Sequence, residues 1–147
     1  MKKLLPPYLF LSLLIGMLCL WTWLPLQKLV PFPFNLLGLL LIFLGLKFAS
    51  SGKSLFKKVD TNINTFKNPD ILVTEGPFKF TRNPMYLGFL LVLIGFAWCF
   101  GVISVWVGPL IFLLLANFWY IPFEEKRMLE KFGDSYVGYR QKVRRWL

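Results

Sequence analysis

Long apolar runs alternate along the chain with segments that carry nearly all of its charges. The first two runs cover about residues 8–26 and 35–49. Residues 85–123 then contain no charged side chain at all. As one helix this stretch would be about 58 Å long, roughly twice the thickness of a bilayer's hydrocarbon core. We therefore predict two further spans here, at about 85–101 and 107–123, separated by a break between Gly101 and Pro109.

The polar segments complete the expected architecture. Residues 50–84 are predicted to form a cytoplasmic loop, and residues 124–147 a cytoplasmic tail. The first residues resemble a signal peptide, but no small-x-small cleavage site follows Leu20, so we expect a retained first helix. The pattern predicts an all-α integral membrane protein with about four transmembrane helices, a cytoplasmic loop and C-terminal amphipathic helices. All 147 residues would form a single membrane-embedded domain.

Particular residues predict where helices begin and end. Asn35, Asn83 and Asp134 are suited to cap helices with their side chains. Pro84 suits a first helical position, and Gly133 suits the end of a helix. In the tail, aromatic and apolar residues recur at helical spacing and predict one amphipathic interfacial helix. These residues are Tyr136, Tyr139, Val143 and Trp146.

Glycines recur every two turns in the second and third spans. They lie at positions 38, 45 and 52, and again at 88 and 95. This spacing places them in one smooth stripe per helix, which predicts close packing of helix against helix.

Composition supports a membrane setting and excludes several functions. The chain is 56% hydrophobic and 16% charged, which is too apolar for an ordinary soluble domain of this length. Its net charge of +10 comes from basic blocks between apolar runs, which favours lipid and topology signals over nucleic acid. Every Lys and Arg except Lys28 falls on one side of the four-span arrangement. The positive-inside rule therefore predicts that both termini lie in the cytoplasm. The membrane is expected to be a bacterial inner membrane. With no histidine and two isolated cysteines, neither a zinc site nor a disulfide framework is expected.

Two polar clusters lie where a bilayer would disfavour them. Asn117, Tyr120 and Glu124 are spaced to share one face of the fourth span. Arg82 and Tyr86 flank the start of the third span, beside Asn83. Taken singly these residues fit a helix start, a helix-dipole partner or an interfacial base. Together they face the same boundary, which predicts a functional site.

Two segments carry a family resemblance. LVTEGPFKFTRNPMYLG, residues 72–88, and EEKRMLEKFGDSYVGYRQKVRRW, residues 124–146, are similar to the isoprenylcysteine carboxyl methyltransferase family and its phospholipid methyltransferase relatives. The resemblance covers roughly residues 70–146. The family's usual Arg-His-Pro-x-Tyr is Arg-Asn-Pro-Met-Tyr at 82–86, which replaces a titratable side chain by an amide.

The resemblance implies S-adenosylmethionine bound between the third and fourth spans, with a lipophilic small molecule or a lipidated acceptor entering from the bilayer. Tyr120 and Arg82 are the implied catalytic candidates. Tyr120 stands where the prenylcysteine enzymes have an arginine, so the acceptor stays open between a prenylcysteine carboxylate and a lipid amine. The positions that match the family's cofactor contacts are Asp70, Ile71, Leu72, Val73, Phe78, Asn83, Pro84, Met85, Tyr86 and Glu124.

Two readings from other classes compete with an enzyme. A non-catalytic scaffold could use the basic loop and tail to bind anionic lipid or a protein partner. A small transporter is disfavoured, because the spans carry no charged residue in mid-membrane and no inverted repeat of broken helices.

Overall fold

The described part of the chain is mostly helical. The computed structural model describes residues 5–58 and 71–147, and the side chains of residues 56–58 are left aside. Within these ranges there is no strand, apart from one isolated antiparallel bridge between Lys28 and Val102. The α-helices are α1 (Pro6–Trp23), α2 (Gly38–Lys58), α3 (Pro84–Phe100), α4 (Val107–Leu115), α5 (Ile121–Phe132) and α6 (Asp134–Lys142). Short 3₁₀ turns cover Phe34–Leu37, Gly76–Lys79 and Ile103–Trp106, and a wide turn, Ala116–Tyr120, joins α4 to α5.

Three helical segments are long and apolar enough to cross a membrane. They are Pro6–Trp23, Phe34–Leu55 and Ile103–Phe132. Helix α3 is equally apolar, but its 17 residues lie at the lower limit of a spanning length. The prediction of an all-α membrane protein is confirmed, and the count of four spans stays a prediction.

Helix α2 is longer than the sequence pattern indicated. We expected the second span to end near residue 49, but the helix continues to Lys58. The first residues of the predicted loop are therefore helical. Gly52 lies inside the helix, where its missing side chain leaves room for Met85. The remainder of that loop as far as residue 70, including Asp70, lies outside the described residues.

Helices α2 and α3 pack against each other through their glycines, as predicted. A Cβ atom on Gly45 would lie 2.6 Å from the carbonyl oxygen of Gly88, and one on Gly88 would lie 2.6 Å from that of Gly45. One on Gly95 would lie 2.7 Å from the carbonyl oxygen of Gly38. Real Cβ atoms do not approach backbone this closely. The helices therefore touch backbone to backbone, in antiparallel order.

At the other end of α3, the linker between α1 and α2 is hydrogen-bonded to the linker between α3 and α4. Gly101 ends the helix with φ of +69°, and its carbonyl accepts the amide hydrogens of Leu29 and Val30 at 2.8 and 3.2 Å. The predicted break after the third span is confirmed at Gly101. Gly108 and Pro109, however, lie in the first turn of α4 rather than interrupting a helix. Because Lys28 bridges Val102, it sits at the end of α3 remote from Arg82.

The three side-chain caps predicted from sequence are wrong. Asn35 lies in a 3₁₀ turn and donates to the carbonyl of Cys99 at 3.2 Å. Asn83 precedes α3 but makes no capping bond with its side chain, and Asp134 is already the first residue of α6. Asn35 and Asn83 bind distant backbone instead, which local sequence cannot reveal. Pro84 does open α3, and Gly133 does end α5.

The buried core reaches the predicted site. Phe112 on α4 is fully buried, and its ring centroid lies 6.2 Å from that of Phe89 and 6.5 Å from that of Tyr86. Tyr86 is itself buried at the first turn of α3. The position of this tyrosine is therefore set by the packing of α3 against α4.

We expect Gly45→Ala and Gly88→Ala each to destabilise the protein by about 1–3 kcal/mol, the usual cost of forcing a methyl group into a packed interface. Thermal unfolding in detergent micelles measures this. Gly16→Ala is the matched control, because nothing lies within 4 Å of a Cβ at that position. Equal stability of all three variants would contradict the close approach of α2 and α3.

Candidate active site

Tyr86 and Glu124 bring the two polar clusters together. The Tyr86 hydroxyl donates to Oε1 of Glu124 at 2.8 Å. Tyr86 comes from the start of α3 and Glu124 from the first turn of α5. The buried ring of Tyr120 packs beside this pair, with its centroid 6.2 Å from that of Tyr86. One carboxylate and two aromatic rings thus converge between α3 and the α4–α5 segment.

The wide turn separates Asn117 from this group. The amide of Ile121 donates to the carbonyl of Ala116, a bond spanning five residues instead of four. Such a turn contains about one residue more than a regular α-helical turn. It brings Asn117 into line with Glu125, eight residues on, rather than with Glu124. The prediction that Asn117, Tyr120 and Glu124 share a face is therefore wrong for Asn117.

Glu125 is the centre of a half-buried ionic cluster. Its Oε2 lies 2.6 Å from Nη2 of Arg145, and its Oε1 lies 3.0 Å from Nη1 of Arg82. The side chains of Arg82 and Glu125 are only 9% and 11% exposed. The Arg82 contact lacks hydrogen-bond alignment, and the Nε of Arg82 is buried without an acceptor. Two cations thus share one carboxylate, and each depends on it.

The chain beyond α6 lies along residues 81–83. Helix α6 ends at Lys142, and Val143 is extended. The amide of Arg82 donates to the carbonyl of Arg144 at 3.0 Å. The carbonyl of Arg145 accepts from the Thr81 hydroxyl at 3.1 Å and from the Asn83 amide group at 2.9 Å. The predicted amphipathic helix reaching Trp146 is therefore wrong, because these bonds replace those of another helical turn.

The same segment also reaches the wide turn. Nη1 of Arg145 and Nε1 of Trp146 both donate to Oδ1 of Asn117, each at 3.2 Å. The two residues therefore fix this end of the chain between α3 and the α4–α5 segment. The sequence analysis did not identify Arg145, Trp146 or Glu125 as partners. The signal in the sequence was a cation and an indole at the end of the family-like segment 124–146.

Two tyrosines anchor α6. The Tyr139 hydroxyl donates to the carbonyl of Phe78 at 2.7 Å, and burial raises the pKa of Tyr139. Burial and then the nearby charge of Glu125 raise the pKa of Tyr136, against an opposing effect of Arg82. Both hydroxyls therefore stay protonated at neutral pH and available as donors.

The positions expected to contact a cofactor lie in different environments. Val73, Phe78, Asn83, Pro84 and Tyr86 are buried, and Leu72, Met85 and Glu124 are half-buried. Ile71 is exposed, and Asp70 lies outside the described residues. The structure brings Tyr86, Glu124 and Tyr120 together. The amide of Asn83 is instead engaged by the chain end.

A separate cleft of about 330 Å³ opens between the end of α2 and the 3₁₀ turn Gly76–Lys79. Of the cofactor and catalytic candidates within residues 71–147, none lines it. Its lining residues are Ser50, Ser51, Ser54, Leu55, Gly76 and Pro77.

These features define a helical membrane protein whose polar site lies where apolar helices meet the charged segments. The family model for phospholipid methyltransferase matches residues 34–135, and the chain belongs to this family. The match includes the glycine-packed helices, the Arg-Asn-Pro-Met-Tyr segment and the Glu124–Glu125 pair. The resemblance expected from the sequence is therefore confirmed, and a membrane methyltransferase is the class that it supports.

The chain is also similar to two known proteins. The chain is 46% identical over 63 residues to an uncharacterized protein of Haemophilus influenzae, covering 43% of this chain and all of that protein. It is 38% identical over 84 residues to the protein-S-isoprenylcysteine O-methyltransferase of Schizosaccharomyces pombe. That alignment covers 52% of this chain and 33% of the yeast enzyme, so the match spans about a third of its length.

We expect Glu125→Gln to lower the free energy of unfolding by about 3 kcal/mol, because it leaves the buried guanidinium group of Arg82 and the half-buried one of Arg145 without their shared anion. Denaturant unfolding in micelles measures the loss. Glu130→Gln on the same helix is the control, since its ion pair with Lys126 is 3.9 Å long and well exposed, and such pairs contribute little. A Glu125→Gln protein as stable as this control would show that the cluster does not depend on its charge.

Proposed function

We propose that this protein transfers a methyl group from S-adenosylmethionine to a lipophilic acceptor at the membrane–cytoplasm boundary. The observation that carries the proposal is the hydrogen bond between Tyr86 and Glu124, with Tyr120 beside it. It joins, at one place, the two segments on which the family resemblance rests. S-adenosylmethionine, when bound, supplies a methyl group on a positively charged sulfur.

The residues present are suited to such a cofactor. Aromatic rings and a carboxylate attract a cationic group, and Tyr86, Tyr120 and Glu124 supply both. Glu124 can also accept from hydroxyl or ammonium groups. Val73 and Phe78 offer buried apolar surface for an adenine ring. The further residues assigned to the cofactor are Asp70, Ile71, Leu72, Asn83, Pro84 and Met85.

The chain's own contribution is alignment. Methyl transfer needs the acceptor atom held in line, and little covalent help from protein. Tyr86 is fixed by the core through Phe112, and Glu124 is fixed by Tyr86. The buried ring of Tyr120 keeps water from this side of the site. These residues hold and orient, so the absence of a nucleophile among them does not oppose the proposal.

The acceptor depends on the charges near Tyr120. A prenylcysteine carboxylate arrives ionised but needs a cation, and the position of the family's arginine is occupied by Tyr120. Arg82 is a candidate for that cation, yet it is paired with Glu125. A lipid amine needs no cation but must lose a proton, for which Tyr120 and Glu125 are the candidate bases. We therefore place Tyr120 and Arg82 at the acceptor side and favour an acceptor other than prenylcysteine.

The orientation is part of the same proposal. The 16 bases other than Lys28 lie on the side of Arg82 and the tail in the four-span arrangement, which places both termini in the cytoplasm. A bacterial inner membrane fits this arrangement. The site would then open toward cytoplasmic S-adenosylmethionine and toward lipid at once.

We expect Glu124→Gln to weaken S-adenosylmethionine binding at least tenfold, because a charge-assisted hydrogen bond contributes about 1.5–3 kcal/mol. Titration calorimetry with the purified protein measures this, with the exposed Glu130→Gln as control. Unchanged affinity in a folded Glu124→Gln protein would return Glu124 to a helix-dipole role. Absence of binding by the wild-type protein would favour the scaffold.

We further expect poor methylation of N-acetyl-farnesylcysteine and better methylation of an acceptor in a total-lipid extract. Because Arg82 is paired with Glu125 and Tyr120 carries no charge, holding a carboxylate in a partly desolvated site would be costly. Transfer of tritiated methyl groups to the two acceptors, assayed side by side, tests the preference. Robust turnover of the prenylcysteine alone would refute it and would assign the missing charge to Arg82 or Arg140.

A further inference from the structure

Residues 143–146, which we call the C-terminal strap, connect the same two elements as the Tyr86–Glu124 hydrogen bond. The strap's carbonyl groups bind residues 81–83, immediately before α3. Its side chains bind Asn117 and Glu125, on the α4–α5 segment. Apart from the strap, α5 packs mainly against the wide turn and α6. The approach of α5 to α3 thus depends on a few polar contacts.

Arg145 contributes to both halves of this connection. Its carbonyl oxygen accepts from Thr81 and Asn83, which lie three to five residues before Tyr86. Its guanidinium group holds both oxygens of Glu125, the neighbour of Glu124, at 2.6 and 3.3 Å. One residue therefore binds a neighbour of each member of the Tyr86–Glu124 pair.

We propose that Arg145 is a positioning residue for the proposed cofactor site, acting through the strap to set the distance between Tyr86 and Glu124. It does not touch the pair itself. Its planar, two-pronged guanidinium fits the Glu125 carboxylate, whereas a lysine would supply charge without the fixed geometry. This inference rests on the proposed function, because the affinity that it controls is that for S-adenosylmethionine.

The test uses the full-length protein in detergent micelles. Arg145→Gln removes the guanidinium group but keeps the carbonyl. Arg144→Gln is the matched control, because it removes the same charge from an exposed side chain one residue earlier. We expect Arg145→Gln to raise the dissociation constant for S-adenosylmethionine about tenfold and Arg144→Gln to change it less than about twofold. Arg145→Lys should fall between them, and it also serves if the glutamine variant does not fold.

A double-mutant cycle separates positioning from a general loss of stability. Tyr86→Phe removes the hydroxyl that binds Glu124. If Arg145 positions that pair, Tyr86→Phe should weaken binding several-fold in the wild-type background and much less in the Arg145→Gln background. Additive effects in folded proteins would overturn the proposal, as would wild-type affinity in Arg145→Gln.

Hydrogen exchange at the Arg82 amide tests, without any cofactor, whether Arg145 holds the C-terminal strap in place. This amide donates to the carbonyl of Arg144, so its exchange reports directly whether the strap is in place. We expect faster exchange in Arg145→Gln and no change in Arg144→Gln. If the wild-type protein bound no S-adenosylmethionine, the proposed function would fail, while faster exchange would still support the strap. Unchanged exchange of the Arg82 amide in Arg145→Gln would refute the positioning role of Arg145.

Discussion

Helices α2 and α3 approach until their backbones touch, and glycine is what permits that distance. In a membrane no hydrophobic force pulls two apolar helices together, so close contact of small residues has to supply the attraction. Gly45 against Gly88 and Gly38 against Gly95 provide it over about two turns. The rest of the fold depends on this contact, because α3 carries Tyr86 at one end and the linker-binding Gly101 at the other.

Polar contacts position the elements that lie outside the glycine-packed helices. Beyond the apolar helices, α5 and the chain end are joined to α3 through Glu125, Arg145 and the carbonyl groups near them. Buried charges of this kind are costly to desolvate, and their net contribution to stability is small. Their value lies in geometry, since a two-pronged guanidinium bond fixes direction as well as distance. The site is therefore placed by directional bonds on a base of non-directional packing.

Local sequence patterns correctly predicted the features that depend on residues close together in the sequence. Apolar periodicity gave the helical membrane architecture, the spacing of Gly45 and Gly88 gave the packed stripe, and Gly101 gave the break after α3. Family-like segments indicated that Tyr86 and Glu124 belong to one site. What failed depended on partners distant in sequence. Asn83 binds the chain end instead of its own helix, and the last residues leave the helical path because Thr81 and Asn83 offer alternative donors. No periodicity reveals such an exchange.

The wide turn Ala116–Tyr120 gives the adjacent glutamates separate directions. It contains one residue more than regular pitch requires, so the extra residue sets the rotation of everything after it. If the same residues were wound with regular α-helical pitch, α5 would rotate by about 100° relative to the preceding span. Glu125 would leave its arginines and Glu124 would leave Tyr86, although no functional side chain had been altered. Along this stretch the winding of the helix, and not the identity of the side chains alone, decides which glutamate meets which partner.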